Sequence, residues 1–319
     1  MSLFNKILAF IKLVRWPNLL MVAVIQFGLY YAVITGIYKI AGATATLGLT
    51  DMLLLVVATM MVAAAGYIIN DYFDLHTDRI NKPSSVILGK ELNRKTGIVL
   101  YAVLNIAAAV VGFWLAFKVD SWRLGLLFPM IIILLWLYSV KYKAIVIWGN
   151  VAVAFLAAMV VIIVWLFEFF MLRGQPDTFV AVTPYLGLIT AYFSMFALFA
   201  FLLTFTREVI KDAEDIEGDT TAGLETLAVK HGMKASKRMA LLLTTITAGL
   251  LVWVVYSFAA NGMLVAAVYY ALAVFIPLAY LFFKTIKATD KKDFHNLSTV
   301  IKVIMIAGII GLQPIAMSI

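Results

Sequence analysis

Most of the acidic residues in this chain's polar loops fall into two short runs. The first reads Asn70-Asp71-Tyr72-Phe73-Asp74-Leu75-His76-Thr77-Asp78-Arg79-Ile80-Asn81-Lys82-Pro83. The second reads Arg207-Glu208-Val209-Ile210-Lys211-Asp212-Ala213-Glu214-Asp215-Ile216-Glu217-Gly218-Asp219. A helix advances about 100° per residue. A helix through the first run therefore gathers Asp71, Asp74 and Asp78 within about 60°, with Asn70 beside them and His76 opposite. A helix through the second aligns Glu208, Asp212, Asp215 and Asp219 in a stripe about 60° wide. Lys211 borders that stripe, Arg207 sits one step further round, and Glu214 and Glu217 are expected to point away into water. Pro83 should end the first helix near Asn81.

Stacked carboxylates repel by a few tenths of a kcal/mol per pair on an isolated helix. Within a membrane each costs roughly 2.5–3.5 kcal/mol. Solvation, or pairing with nearby Lys and Arg, could account for one such stripe. Two stripes on one face, each closing a membrane span, point instead to bound cations. Carboxylate oxygens without Cys or His suit Mg²⁺, Mn²⁺ or Ca²⁺. The chain has no cysteine and three histidines. His76, His231 and His295 lack metal-ligand spacing and are expected as solvated loop residues. Mg²⁺ takes one or two carboxylates and shares itself with substrate phosphates. Two facing acidic clusters with interleaved Lys and Arg thus describe a site for a diphosphate bridged by two Mg²⁺ ions. No Gly-x-x-x-x-Gly-Lys-Ser/Thr cradle is present, which argues against a nucleotide-driven pump.

The elements that hold these runs are apolar. Of 319 residues, 64% are hydrophobic and 13% charged, against about 25% charged in a soluble domain. A bilayer core needs about 20 apolar residues per helix. Nine runs qualify, near 18–38, 52–70, 97–117, 124–140, 145–167, 181–205, 239–260, 263–283 and 299–318. The expectation is an all-α polytopic membrane protein, with nine transmembrane helices around a central cavity, forming one domain over 1–319. The fourth run is the shortest. The sixth carries Thr183, Pro184, Thr190, Ser194 and Thr204, so it is expected to face the bundle interior. Residues 1–17 mix apolar residues with Lys6 and Lys12 and have no cleavage-site pattern, which suggests an amphipathic segment in the membrane interface.

Of 25 Lys and Arg residues, only Lys39, Lys118, Arg123 and Arg173 fall in the odd-numbered loops. The remaining 21 lie before the first span, in the even-numbered loops or, for Lys302, at the start of the ninth run. That asymmetry orients the chain with its N-terminus and both acidic loops, 71–96 and 207–238, in the cytoplasm and its C-terminus outside. The net charge of +8 then suits a membrane surface and an anionic substrate, not nucleic acid. A diphosphate site inside a membrane implies a lipid tail lying between the helices.

Asn70-Asp71-x-x-Asp74-x-x-x-Asp78 resembles the first signature of the UbiA superfamily of intramembrane prenyltransferases. Asp215-x-x-x-Asp219, followed by Gly223 and Thr226, resembles the second. Tyr138-Ser139 with Lys141, and Gly149-Asn150, resemble its third loop region. Arg15-Trp16-Pro17-Asn18 resembles the start of its first helix. The likeness spans nearly the whole chain and implies nine helices. It also implies one Mg²⁺ on Asp71, Asp74 and Asp78, with Asn70 placing the diphosphate, and a second on Asp212, Asp215 and Asp219, with Mn²⁺ a possible substitute. Lys211, Arg207, Arg79 and Lys141 would be diphosphate clamps. Asn18 and Tyr138 are further substrate contacts, while Ser139 and Asn150 would touch the acceptor or bond helix to helix. Tyr67, Tyr72, Phe73, Tyr138 and Phe205 are candidate cation-stabilising faces or packing residues.

The pattern around both Asp runs looks most like the branch that alkylates geranylgeranylglyceryl phosphate with geranylgeranyl diphosphate. Prenylation of 4-hydroxybenzoate or another quinone precursor is the alternative. A secondary transporter would place charges near the bilayer midplane, where these runs have almost none. A CDP-alcohol phosphotransferase would need a compact four-Asp run that is absent. The basic asymmetry makes a topology prediction. A reporter fused after Ile319 is expected outside the cytoplasm, and one in the 84–96 loop inside. A cytoplasmic C-terminal reporter would mean that one run does not span.

Overall fold

A backbone in hydrocarbon has no water to bond, so each long apolar run must satisfy its own amides as a helix. In the computed structural model, residues 3–84 and 86–319 are described. Met1 and Ser2 of the expected interfacial segment, and Ser85 of the first acidic loop, lie outside them. Nine helical stretches among the described residues are long and apolar enough to cross a bilayer: Trp16–Ile40, Leu49–Phe73, Arg94–Lys118, Trp122–Val140, Trp148–Arg173, Pro176–Glu214, Met233–Ala260, Leu264–Lys287 and Lys291–Ser318. The fourth, the shortest, qualifies with 19 residues. The chain is an integral membrane protein.

The second span is the most enclosed, and the third and fourth are the least. The sixth packs against the fifth, seventh and ninth, and the ninth returns to the first. The first, second, fourth, fifth, sixth and ninth spans thereby surround a chamber, with the third, seventh and eighth packed outside. The sixth span is interior as expected, but its hydroxyls are not the reason. Thr183 and Ser194 are exposed, Thr190 only accepts from Trp165 Nε1 at 3.2 Å, and Thr204 alone of that set reaches the chamber. Ile189, Phe193, Ala197, Leu202 and Leu203, all buried, put the helix there.

Helix Leu3–Leu13 precedes the first span. Phe4, Ile7, Leu8 and Ile11 form an exposed apolar stripe on it, while Ala9 and Leu13 are buried against the bundle. The chain then turns sharply at Arg15, whose φ of 52° is left-handed, a conformation costly for a residue with a Cβ.

The end of the bundle away from the acidic runs is closed by buried polar groups. Glu168, fully buried in the fifth span, accepts from the Thr46 and Leu47 amides and the Thr46 hydroxyl, each at 2.8 Å. Asp51 pairs with Lys118 at 2.7 Å, and the Tyr30 hydroxyl donates to the Leu47 carbonyl. Replacing Glu168 with Ala strands two amides, at about 1–3 kcal/mol each. A lowered melting temperature in detergent is expected, with the Asp runs undisturbed. An unchanged melting temperature would contradict this account.

Candidate active site

Both acidic runs bend at their middle carboxylate. The second span's helix stops at Phe73, and helix Leu75–Asn81 follows, with Asp74 between them at φ −84°, ψ 3°. The sixth stops at Glu214, and helix Ile216–Thr221 follows Asp215 at φ −98°, ψ 10°. The expectation of one straight helix through each run is corrected to this extent. The bonds Asp74 N to Asn70 O at 2.8 Å, Asp78 N to Asp74 O at 2.8 Å, Asp215 N to Lys211 O at 2.9 Å and Asp219 N to Asp215 O at 3.1 Å continue through each bend. The carboxylates therefore keep a shared face while the helix ends tip over.

The tipped ends are latched to each other. Asn81 Oδ1 accepts from the Gly218 amide at 3.0 Å, and Asn81 Nδ2 donates to the Asp215 carbonyl at 3.2 Å. A Cβ at Gly218 would lie 2.4 Å from the Asn81 side chain, so this approach requires glycine. Lys291 at the start of the ninth span donates to the Asn81 carbonyl at 3.3 Å. One asparagine thus spans two acidic runs more than a hundred residues apart.

Cations from four segments meet the carboxylates. Arg15 Nη2 lies 2.6 Å from Asp71 Oδ1, and its guanidinium sits 4.9 Å from the Tyr67 ring centroid. The left-handed turn at Arg15 swings the chain back over the bundle and accompanies this contact. Lys143 pairs with Asp74, whose other oxygen accepts from Asn70 Nδ2 at 2.8 Å. Lys82 Nζ reaches Asp215 Oδ2 at 2.8 Å. Asn150 Nδ2 donates to Asp212 Oδ2 at 2.8 Å. Arg207 pairs with Glu208 at 2.8 Å. Gly149 lets the Lys143 turn pack tightly, since a Cβ there would fall 2.8 Å from Lys143 Cα and 2.9 Å from the Tyr142 carbonyl oxygen.

Several expected contacts fall elsewhere. Lys141 is exposed, and Lys143 takes the Asp74 carboxylate in its place. Arg79 is exposed with its guanidinium near the Gly89 turn, and Lys82 is the cation on Asp215. Ser139 is buried and donates to the Leu135 carbonyl at 2.9 Å, which is a helix-backbone bond. Glu214 does not meet water: it is buried and bonded to His295 Nδ1 at 2.9 Å, because the ninth span packs on that face of the sixth. His295 therefore stands on a helix rather than in a free loop. Glu217 is exposed as expected. Phe205 is in the apolar core, and Tyr72 meets Phe73 edge to face and lies under Arg94. Tyr67 and Tyr138 face the chamber.

The chamber measures about 310 Å³. Arg15, Asn18, Asn70, Arg207, Glu208, Lys211 and Lys302 line its polar end, and Val62, Leu135, Ile163 and Met305 are among its apolar walls. An apolar compartment of about 190 Å³ continues from it and shares Met21, Val22, Ala157, Val160, Thr204 and Met305. A polyanionic head at the charged end with a hydrocarbon tail between the helices matches this shape.

The oxygen-only donor set suits a hard divalent cation. Asn70 Oδ1 and Asp215 Oδ1 are buried without a hydrogen-bond partner among the described residues, so two acceptors are open to one. No three acid side chains among the described residues form a ready-made cage. Carboxylates of both runs, with phosphate oxygens completing the shell of each ion, fit the residues present.

The comparisons with known proteins agree with this geometry. The model of the UbiA prenyltransferase family matches residues 16–300. The chain belongs to the UbiA prenyltransferase family. It is a membrane-embedded prenyltransferase, an all-helical enzyme of nine spans among the described residues. A digeranylgeranylglyceryl phosphate synthase of Methanobrevibacter smithii is 30% identical over 262 residues, covering 82% of this chain and 85% of that one. A solved structure described as digeranylgeranylglyceryl phosphate synthase in membranes shares the fold at a TM-score of 0.62 and 23% identity, over 96% of this chain and 98% of that one. A UbiA homologue of Archaeoglobus fulgidus, solved with DMAPP and Mg²⁺, superposes at a TM-score of 0.52 and 16% identity, over 95% and 99% of the two chains.

Of the residues now seen at this UbiA-family site, sequence reasoning left Arg15, Asn81, Lys82, Lys143 and Lys302 without roles. Arg15 was inside a recognised segment, and Asn81 and Lys82 were inside the first acidic run. Which cation reaches which carboxylate depends on turns that spacing does not encode.

Burial pushes Asp78 up to about 6, with the charges of Asp74 and Asp71 adding to it and Lys211 opposing. Burial pushes Asp219 up to about 7, with Asp215 adding and Lys211 opposing. A raised carboxyl favours the protonated form, so its contribution to metal-free stability is lost as pH rises through those values. A cation bound there must displace the protons. Mg²⁺ affinity is therefore expected to climb as pH passes about 6 and about 7 and to level off above. Titration of purified protein at a series of pH values checks this, and a flat profile would refute it.

Proposed function

We propose that this enzyme transfers a geranylgeranyl group from geranylgeranyl diphosphate to geranylgeranylglyceryl phosphate, with two Mg²⁺ ions placed by the Asp runs. The observation that carries the reading is the pair of Asp runs latched at the cationic end of an apolar chamber. The relatives named as digeranylgeranylglyceryl phosphate synthases support the choice of substrates.

Asp71, Asp74 and Asp78, with Asn70, would hold one ion, and Asp212, Asp215 and Asp219 the other. Bound Mg²⁺ would supply Lewis acidity to the departing oxygens. Arg15, Lys82 and Lys143, now on carboxylates, are within reach to turn toward a diphosphate, and Lys211 and Arg207 face it from the sixth span. The bond between C1 of the prenyl chain and the diphosphate oxygen breaks, and the diphosphate keeps the electron pair. Positive charge develops on the allylic carbons. Tyr67 and Tyr138 present aromatic faces to that cation. The chamber's apolar walls exclude water from it. A hydroxyl oxygen of the acceptor then bonds to C1 and passes its proton to the released diphosphate. Both tails lie between the helices.

The acidic loops and N-terminus are placed in the cytoplasm and the C-terminus outside, on the asymmetry of basic residues. The exposed apolar stripe of helix Leu3–Leu13 lies in the interface.

Purified enzyme given geranylgeranyl diphosphate and Mg²⁺ is expected to consume geranylgeranylglyceryl phosphate faster than 4-hydroxybenzoate or dihydroxynaphthoate. EDTA should stop the reaction, and Mn²⁺ should restore part of it. Asp74→Asn and Asp215→Asn should each lower turnover by about a hundredfold or more, the scale on which electrostatic stabilisers act. Faster turnover of an aromatic acceptor would replace the acceptor assignment with quinone-precursor prenylation. Near-normal turnover in either Asn variant would remove the metal assignment.

A further inference from the structure

Lys302 lies on the ninth span just inside its apolar run, roughly 16 Å along the helix from Lys291 at 1.5 Å per residue. An ammonium at that depth is costly and marks a functional site by default. It lines the chamber with Met305, one turn further along. It makes no hydrogen bond or ion pair among the described residues. The charges that act on it are Arg207, Arg15 and Lys211, with Glu214 the opposing carboxylate. Glu214 is already bonded to His295.

That bond also sets the register. The sixth and ninth spans run antiparallel, and Glu214 meets His295 across them. Arg207 lies seven residues before Glu214, and Lys302 seven residues after His295. Two turns deeper on each helix, Arg207 and Lys302 stand at one level. Arg207 Nη1 is held by Glu208, while its Nε is buried without a partner. The charged residues lining the chamber are Arg15, Arg207, Lys211 and Lys302 against Glu208 alone. The acidic runs already carry Arg15, Lys82 and Lys143. Those three cations pair Asp71, Asp215 and Asp74, and among the described residues neither Arg207 nor Lys302 pairs with an Asp of the runs.

We infer that Lys302, with Arg207 shared between it and the diphosphate above, forms a second anion subsite that takes the phosphate monoester of the lipid acceptor. The inference rests on the acceptor proposed above and adds the residues that select it. That phosphate is only a few bonds from the attacking hydroxyl, so it must enter the chamber with it. Charge-assisted bonds from a guanidinium and an ammonium offset the phosphate's desolvation there. An aromatic acceptor without phosphate would leave Lys302 unpaired in the membrane.

The test uses full-length protein in detergent, with folding of each variant checked by its melting curve. Binding of radiolabelled geranylgeranylglyceryl phosphate is measured in EDTA without donor, and KM values for both substrates are measured in Mg²⁺. Lys302→Met is expected to weaken acceptor binding and raise acceptor KM by about tenfold or more, the loss of one charge-assisted bond. Lys302→Arg should retain most of the affinity. Donor KM should stay within about twofold, as should binding of the acceptor alcohol that lacks the phosphate. An unchanged acceptor affinity in Lys302→Met overturns the inference. A donor KM that rises with the acceptor KM also overturns it, by placing Lys302 in the diphosphate clamp. Wild-type protein that does not bind the phosphorylated acceptor would instead sink the acceptor assignment, and this subsite with it.

Discussion

Carboxylates at the end of a membrane helix must be met by positive charge, and in this enzyme that need organises the active site. Asp71, Asp74 and Asp215 each have a cation, and none of those cations comes from the same stretch of chain as another: Arg15 precedes the first span, Lys143 follows the fourth, and Lys82 follows the second. Each pairing fixes the height and rotation of a span end. The left-handed turn at Arg15, the close approach at Gly149 and the bends at Asp74 and Asp215 are the local distortions that let these charges meet. Backbone strain of this kind persists where surrounding contacts over-determine it.

The latch at Asn81 works on the same problem through neutral groups. Its amide bonds to the Gly218 amide and the Asp215 carbonyl, so both acidic runs share one support that carries no charge of its own. Burial without metal, with repulsion among neighbouring carboxylates adding to it, raises the Asp78 and Asp219 carboxyls. The fold thus stores an electrostatic cost at the site where divalent cations would relieve it. The far end of the bundle shows the opposite arrangement: Glu168 is saturated by amides and a hydroxyl and has nothing left to offer a ligand.

The chamber links this charged end to the membrane. Its polar lining comes from the inner spans at their acidic-loop ends, and its apolar walls continue into the second compartment between the first, fifth, sixth, seventh, eighth and ninth spans. A substrate with a charged head and a long hydrocarbon chain can thus keep each part in a matching medium. In the proposed mechanism the same enclosure would keep water from capturing the developing carbocation.

Nine spans, their order and the two acidic runs were legible in the residues, because hydrocarbon tolerates no unsatisfied backbone and few unpaired charges. Length and hydropathy then locate the helices, and helical periodicity locates the carboxylate stripes. The resemblance to prenyltransferases rested on those same Asp spacings. Partner choice was not legible. Lys141 and Lys143 are nearly equivalent in sequence, as are Arg79 and Lys82, yet only one of each pair reaches a carboxylate, since two residues of a turn or three of a short helix change the direction of a side chain. Glu214 seemed bound for water until the ninth span covered it. Lys302 looked like one more basic residue of a cytoplasmic set until the antiparallel register of two helices set it level with Arg207. Local chemistry is written along the chain, but which charges face one another is decided by packing between segments up to two hundred residues apart.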